Sequence, residues 1–296
     1  MRKPTEETKL TAKAESWAAS LWRDALPRWK ERPGQDTNYR RYVVFPALHA
    51  ALSAHLPGGN PRILELGCGD GNLLDERFVR ECLENGGDYL GIDISTELLE
   101  TAAARHPGEN IRFLGYDVTK KAFVEHIAKR EAAWDVVVSI LAIQEIPDLE
   151  SFMDNLSRTA SRDTLILLAA VHPDFGRWLM ETGRMRKEDS LSPGGAGGMQ
   201  WRWAGYYPIV DEGREPFLLP YFHRSMDDYL ALFGKHGFGM KGVVEIPDRE
   251  HLLPELVERG ISPFVSFGTN LYWPRIAAEP SSVLFVAKKE GRHAHR

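Results

Sequence analysis

The stretch ILELGCGDG, residues 63–71, constrains the fold of this 296-residue chain more than any other. Residues of strand character lead into Glu65 and Leu66. Gly67, Gly69 and Gly71 then alternate ahead of a helical pattern. Alternating glycines after a strand let the backbone turn sharply and come close to a ligand. The helix that follows presents N–H groups without intrahelical partners at the same point. The stretch therefore reads as a nucleotide-type cofactor turn. A dinucleotide fingerprint needs glycine at its first, third and sixth positions, and here the sixth is Asn72. Glu65 would also repel a pyrophosphate, whereas it suits a cation. Both departures point away from NAD.

From Pro61 onward, strand and helix patterns alternate. Strands are predicted over 63–66, 89–93, 111–116, 134–140 and 164–170, with helices over 74–83, 96–105, 120–130 and 149–159. Such alternation implies a doubly wound α/β fold, with a parallel sheet covered on both faces. Ligands bind such sheets beyond the carboxyl ends of the strands, at the switch point. A further helix is predicted over 226–236, and closing strands over 238–246 and 281–288. Before the core, Leu10, Ala14, Trp17, Ala18, Leu21, Trp22 and Ala25 recur at helical spacing, with Pro27 and Pro33-Gly34 as stop signals. A second helical stretch spans 39–55, where Pro46 either kinks the helix or begins its regular part.

The alternation breaks between Phe175 and Phe222, around a glycine run at 194–198 and the aromatics Trp201, Trp203, Tyr206 and Tyr207. So long an interruption reads as a lid or binding insertion. The aromatics line a substrate pocket in one reading and pack a small subdomain in the other. A second interruption, 251–280, carries Phe264, Phe267, Tyr272 and Trp273. The expected organisation is a helical N-terminal extension or cap (1–60), a cofactor-binding core (61–175), a lid or substrate-binding insertion (176–222), the C-terminal part of the core (223–290) and a mobile tail (291–296).

A net charge of −5 gives no general attraction to nucleic acid. No apolar run is long enough to span a membrane, and MRKPTEETKL lacks the apolar core of a secretory leader. The two cysteines, Cys68 and Cys82, lack metal spacing and read as reduced thiols of a cytoplasmic protein. Composition is silent on oligomeric state.

Glu65 with its glycines resembles motif I of class I S-adenosylmethionine (SAM) dependent methyltransferases. Asp93 in LGID and Asp117 in GYDVT, each ending its own strand, extend the resemblance over about 61–170. It implies a seven-stranded Rossmann-like sheet whose last strand is antiparallel, with SAM as cofactor. Under it, Glu65 lies near the methionine ammonium, Gly67 and Gly69 approach the cofactor, and Asp93 binds the ribose hydroxyls. Asp93 stands 22 positions after Gly71, near the ~20-residue spacing of a ribose-binding acid. Ile94 packs on adenine, Asp117 and Val118 read its edge, and the backbone at Ile140 and Leu141 meets the methionine end. Asp117 serves equally as a local cap of the next helix. Residues 38–42 resemble a helix that closes over the cofactor, through Tyr39, Arg41 or Tyr42, although core packing explains the tyrosines as well.

The resemblance implies methyl transfer to an O, N or S atom of an apolar or aromatic small molecule, by in-line displacement. His is a reasonable base near neutral pH. His172, after the fifth strand, and His223, before the penultimate helix, are the candidates, each with a structural reading beside it. Gln144 and Glu145 follow the fourth strand and face either substrate or solvent. Clustered carboxylates for a catalytic metal are missing near strands four and five, so no metal is required. Two other readings stand: an RNA or protein methyltransferase, and a non-catalytic SAM-binding protein. Residues 1–41 hold ten Lys/Arg against six Asp/Glu, a weak basic arm that suits the first of these.

Overall fold

The computed structural model describes residues 6–30, 40–56, 60–130, 133–191, 201–209, 217–246 and 279–290. Its centre is a run of alternating strands and helices. In order these are β1 (Arg62–Leu66), α3 (Arg77–Glu84), β2 (Asp88–Asp93), α4 (Thr96–Arg105), β3 (Ile111–Gly115), α5 (Lys121–Arg130), β4 (Val136–Ile140), α6 (Leu149–Thr159), β5 (Leu165–Val171) and α7 (Pro173–Glu181). They follow α1 (Glu6–Lys30) and α2 (Phe45–His55). The chain then forms β6 (Arg186–Lys187), β7 (Trp203–Ile209), β8 (Phe217–His223), α8 (Met226–Lys235), β9 (Phe238–Ile246) and β10 (Ser282–Lys289).

Seven strands make the main sheet, in the order β3-β2-β1-β4-β5-β10-β9. β1 pairs in parallel with both β2 and β4, so the strand order reverses beside it. β10 is antiparallel to both β5 and β9. This is the Rossmann-like sheet with an antiparallel last strand that the resemblance implied. Each central strand feeds two cores because successive side chains point to opposite faces. Ile63, Tyr89, Val136, Leu165 and Leu284 pack with α2 and α3 on one side. Leu64, Leu90, Val137, Ile166 and Phe285 pack with α5, α6 and α8 on the other. Burial on both faces explains the unbroken apolar run of β5 and the apolar run of β4, interrupted only by Ser139.

Local chemistry sets the helix starts. Ser95 accepts from the Leu98 N–H at 3.2 Å and Asp148 from the Ser151 N–H at 3.0 Å. Ser225 and Asp228 form a reciprocal capping box. Pro46 falls in the first turn of α2, after a π-helical turn over Arg40–Val44. The helix predicted over 74–83 divides into a 3-10 turn (Asn72–Asp75) and α3, because Glu76 between them is extended.

One expectation changes. Pro27 does not end α1, which continues to Lys30. Trp22, Ala25 and Trp29 pack against Phe217 and Leu219 on both sides of the proline, and this burial outweighs the one lost hydrogen bond. Within the insertion after α7, β6, β7 and β8 form a three-stranded antiparallel sheet among the described residues. α1 lies on β8, and Ala14, Ala18 and Trp17 share a core with Leu191, Trp201, Ala204 and Phe222. The N-terminal helix and the insertion thus build one cap, tied to the main domain by a Glu15–Lys120 ion pair at 2.7 Å. The glycine run at 194–198, the aromatics of 251–278 and the 291–296 tail lie outside the described residues. No helix among those described is long and apolar enough to cross a membrane.

Candidate active site

A cavity of about 510 Å3 opens over the carboxyl ends of β1, β2 and β4 and extends beneath the cap. One end is polar. The glycine turn enters it with φ of +76° at Gly67, +54° at Gly69 and +80° at Gly71. The N–H groups of Gly67 and Cys68 both donate to the Ile92 carbonyl, at 2.8 and 3.0 Å. A Cβ on Gly67 would sit 2.7 Å from the Ala142 Cβ, whereas one on Gly69 would meet nothing within 4 Å. Arg105 secures the turn from behind, donating to the Asp70 carboxylate at 2.8 Å and to its carbonyl at 3.1 Å.

Glu65, Asp93 and Asp117 are among the acidic residues that line this end. Glu65 is buried, accepts from the Tyr89 hydroxyl and lines the cavity. Burial pushes its pKa up to about 8, against the opposing pull of Tyr89 and Arg40. Asp93 accepts from the Gly69 N–H at 2.8 Å and the Ser95 N–H at 2.9 Å. Burial raises its pKa, while those N–H groups restrain the rise. Asp117 also lines the cavity, and its Oδ1 accepts from the Thr119 N–H at 2.9 Å and hydroxyl at 2.6 Å. Its local turn and its place in the cavity therefore coexist. Beside Asp93, Ile94 is 66% exposed, an apolar face left uncovered at the cavity wall. Val118, Ile140 and Leu141 complete this end.

Leu141 holds φ at +53°, alone among the described residues other than glycine. Such a backbone costs about 1–3 kcal/mol and gathers at functional sites. Its N–H donates to the Ala169 carbonyl at 2.9 Å, and its own carbonyl accepts from Gln144 Nε2 at 2.6 Å. The Ser139 hydroxyl ties β4 to the Leu66 carbonyl at 2.7 Å, next to the glycine turn. Gln144 and Glu145 both line the cavity.

The other end is apolar and lies under the cap. Trp22, Leu26 and Trp29 of α1, Leu219 of β8, and Leu179 and Met185 form its walls. Arg40 sits at the junction, its guanidinium 5.6 Å over the Trp29 ring and close enough to act on Glu65. Sequence reasoning missed Trp22, Trp29, Arg40 and Tyr89. Trp22 was legible only as part of a helical stripe, Trp29 lay beyond the stop predicted at Pro27, and nothing local marked the cavity they face.

Three of the four aromatics expected to line the pocket sit elsewhere. Trp201 is 3% exposed and packs edge-on to Phe222 at 5.2 Å, inside the cap. Trp203 stacks on His223 at 4.7 Å, and Tyr206 pairs with Pro220 across β7 and β8. None of the three is among the residues lining the cavity. The side chains of Tyr42 and Tyr207, and all of Tyr39, lie outside the described residues. The two histidines do not line it either. His172 is the N-cap of α7: its Nδ1 accepts from the Asp174 N–H at 3.2 Å, and its Nε2 lies 3.6 Å from Glu245. His223 is buried between Trp203 and Tyr221, and desolvation lowers its pKa to about 4. Both rings are buried in packed elements rather than exposed at loop ends.

A sheet with this strand order, bearing carboxylates at successive strand ends around a glycine turn, defines a class I methyltransferase-like nucleotide site. The sequence pattern of a family described as a methyltransferase domain matches residues 36–207. That is more than half of the chain, and the chain belongs to this family. It is a SAM-dependent methyltransferase. The ubiquinone biosynthesis O-methyltransferase of Klebsiella pneumoniae is 24% identical over 177 residues, 59% of this chain and 69% of the relative. Its namesake from Salmonella paratyphi A is 26% identical over 40% of this chain and 46% of its own length. A SAM-dependent methyltransferase from Mesorhizobium loti has a similar structure, with a TM-score of 0.54 and 21% identity over 83% of this chain and 97% of its own. A putative methyltransferase of Haloferax volcanii, solved with the Trm112 activator, gives 0.56 and 16% over 92% and 99%. At these identities the solved structures speak for the fold alone.

Proposed function

We propose that this methyltransferase moves the methyl group of SAM to an oxygen, nitrogen or sulfur atom of an apolar or aromatic small molecule, by in-line displacement. The observation that carries the reading is the continuity of the cavity, from the carboxylate-lined strand ends to an apolar chamber lined by Trp22, Leu26, Trp29 and Leu219. A largely apolar chamber with few polar groups suits a small ligand better than a polymer. The name of the curated relatives, O-methyltransferase, favours an oxygen acceptor.

The residues present fit the cofactor. Asp93 offers a carboxylate to two ribose hydroxyls, exposed Ile94 offers an apolar face to adenine, and Asp117 with Val118 meets the adenine edge. The open space at Gly69 admits close approach, and Glu65 supplies negative charge for the methionine ammonium. Ile140 and the strained backbone of Leu141 flank the methionine end. When bound, SAM supplies an electrophilic methyl group on its sulfonium. The chain contributes alignment, exclusion of water by the cap and a place for the acceptor's proton. Alignment alone can supply most of the acceleration. Glu145, on the cavity wall, takes the proton in this reading in place of the two histidines.

The test is transfer of labelled methyl from SAM to a panel of phenols, aliphatic alcohols, amines and thiols, with bulk tRNA and protein as competing acceptors. Labelling within the small-molecule panel supports the proposal. Labelling of tRNA or protein alone would replace it with a macromolecular methyltransferase. Saturable SAM binding without any transfer would favour a non-catalytic binding protein.

A further inference from the structure

We infer that Tyr89 is a positioning residue for the cofactor: its buried hydroxyl holds the Glu65 carboxyl at the cavity wall, so that SAM binding draws the proton from Glu65. The inference rests on the reading of Glu65 as a cofactor-binding residue.

Tyr89 is fully buried in β2, with its ring edge-on to Phe113 at 5.8 Å. It stands opposite Ile63 in the β1 ladder, and Glu65 lies two residues farther on, on the same sheet face. A phenylalanine would fill this apolar position. A buried hydroxyl needs a partner, and the partner here is the Glu65 carboxyl. Burial also pushes the Tyr89 phenol well above its ordinary range, so it keeps its proton and remains the donor.

The groups acting on Glu65 come from every surrounding element. Arg40, from the π-helical turn, and Tyr89, from β2, favour ionisation. Asp93, at the end of β2, and Asp70, in the glycine turn, oppose it, and burial opposes it most. Cys68, also in the turn, is held in its neutral thiol form. At neutral pH the uncharged carboxyl therefore prevails until a cation arrives. An ammonium placed against Glu65 favours the carboxylate. An O–H bond to a carboxylate is stronger than one to a neutral acid. Tyr89 thus favours the cofactor-bound form selectively, and the proton leaves Glu65 for solvent as SAM binds.

The experiment is calorimetric titration of the full chain with SAM at about pH 7, in two buffers of different ionisation enthalpy. Wild type, E65Q, Y89F and the double variant are compared, with thermal melts to verify folding. At this pH the α-amino group of SAM is mostly charged, its ordinary pKa being about 7.7–8.0. Wild type should release close to one proton and E65Q none. Y89F should weaken SAM roughly tenfold, and should add nothing in the E65Q background. A purely structural Tyr89 would weaken both backgrounds alike. E65Q binding SAM as wild type does would overturn the reading of Glu65 itself. A weakened E65Q beside an unaffected Y89F, or equal losses in both backgrounds, would overturn the role of Tyr89. Should Y89F not fold, infrared difference spectra of wild type on SAM addition take its place. Loss of the protonated-carboxyl band together with a shifted tyrosine C–O band supports the inference, and an unshifted tyrosine band defeats it.

Discussion

Gly67 and Gly69 both adopt left-handed backbone, but a side chain would harm them in different ways. On Gly67 a Cβ collides with the Cβ of Ala142, 2.7 Å away and on a segment with no slack. G67A should therefore cost about 2 kcal/mol or more of stability, read as a lowered melting temperature. On Gly69 the same Cβ meets only open space, so G69A costs about 1 kcal/mol of backbone strain. It should weaken SAM more than it weakens the fold. Equal losses of stability in the two variants would remove the distinction. Asp93→Ala should weaken SAM by more than about 1 kcal/mol in a protein that still folds. Unchanged affinity would take Asp93 out of the cofactor site. The positions of Glu65, Asp93 and Asp117 were legible because each stands at or just beyond the end of a strand whose pattern is plain. Leu141 was not: no residue type announces a positive φ that is imposed by the Ala169 and Gln144 contacts.

At the scale of elements, the cap has its own acid sensitivity. His223 ends β8 between Trp203 and Tyr221, and its pKa falls from an ordinary 6.5 to about 4. A histidine held neutral in the folded state costs stability as pH falls from about 6.5 through about 4, because the unfolded chain takes up the proton first. Thermal melts across that range should show the loss, and H223N should flatten it. An unaltered acid slope in H223N would assign the loss to other groups. The same packing explains why the sequence left the role of His223 open. Its position before a capped helix was visible, whereas the stack with Trp203 joins residues 20 positions apart across a strand pair.

For the whole molecule, the cavity opposes the fold. Glu65 titrates near 8 when folded, against an ordinary 4.5, so its contribution to stability is complete below about pH 4.5 and is lost as pH rises through about 8. Without SAM, the melting temperature of wild type should fall over this window relative to E65Q. Saturating SAM should offset the fall by supplying a positive partner. A wild-type profile parallel to that of E65Q would mean that Glu65 is ionised throughout. A site that carries such a cost without ligand is one the ligand completes, as functional sites commonly are.

The sequence by itself determined the doubly wound core, the glycine turn and the carboxylates at the strand ends. All three depend on local periodicity and short-range turn chemistry, which neighbouring residues encode. Only the tertiary structure decided that α1 folds onto β8, that the insertion contains a sheet, and that Trp22 and Trp29 rather than Trp201 and Trp203 face the cavity. An aromatic stripe states that a face will be buried, not against what. The pairing of α1 with a strand some 200 residues away follows from complementary surfaces that exist only once both elements have formed.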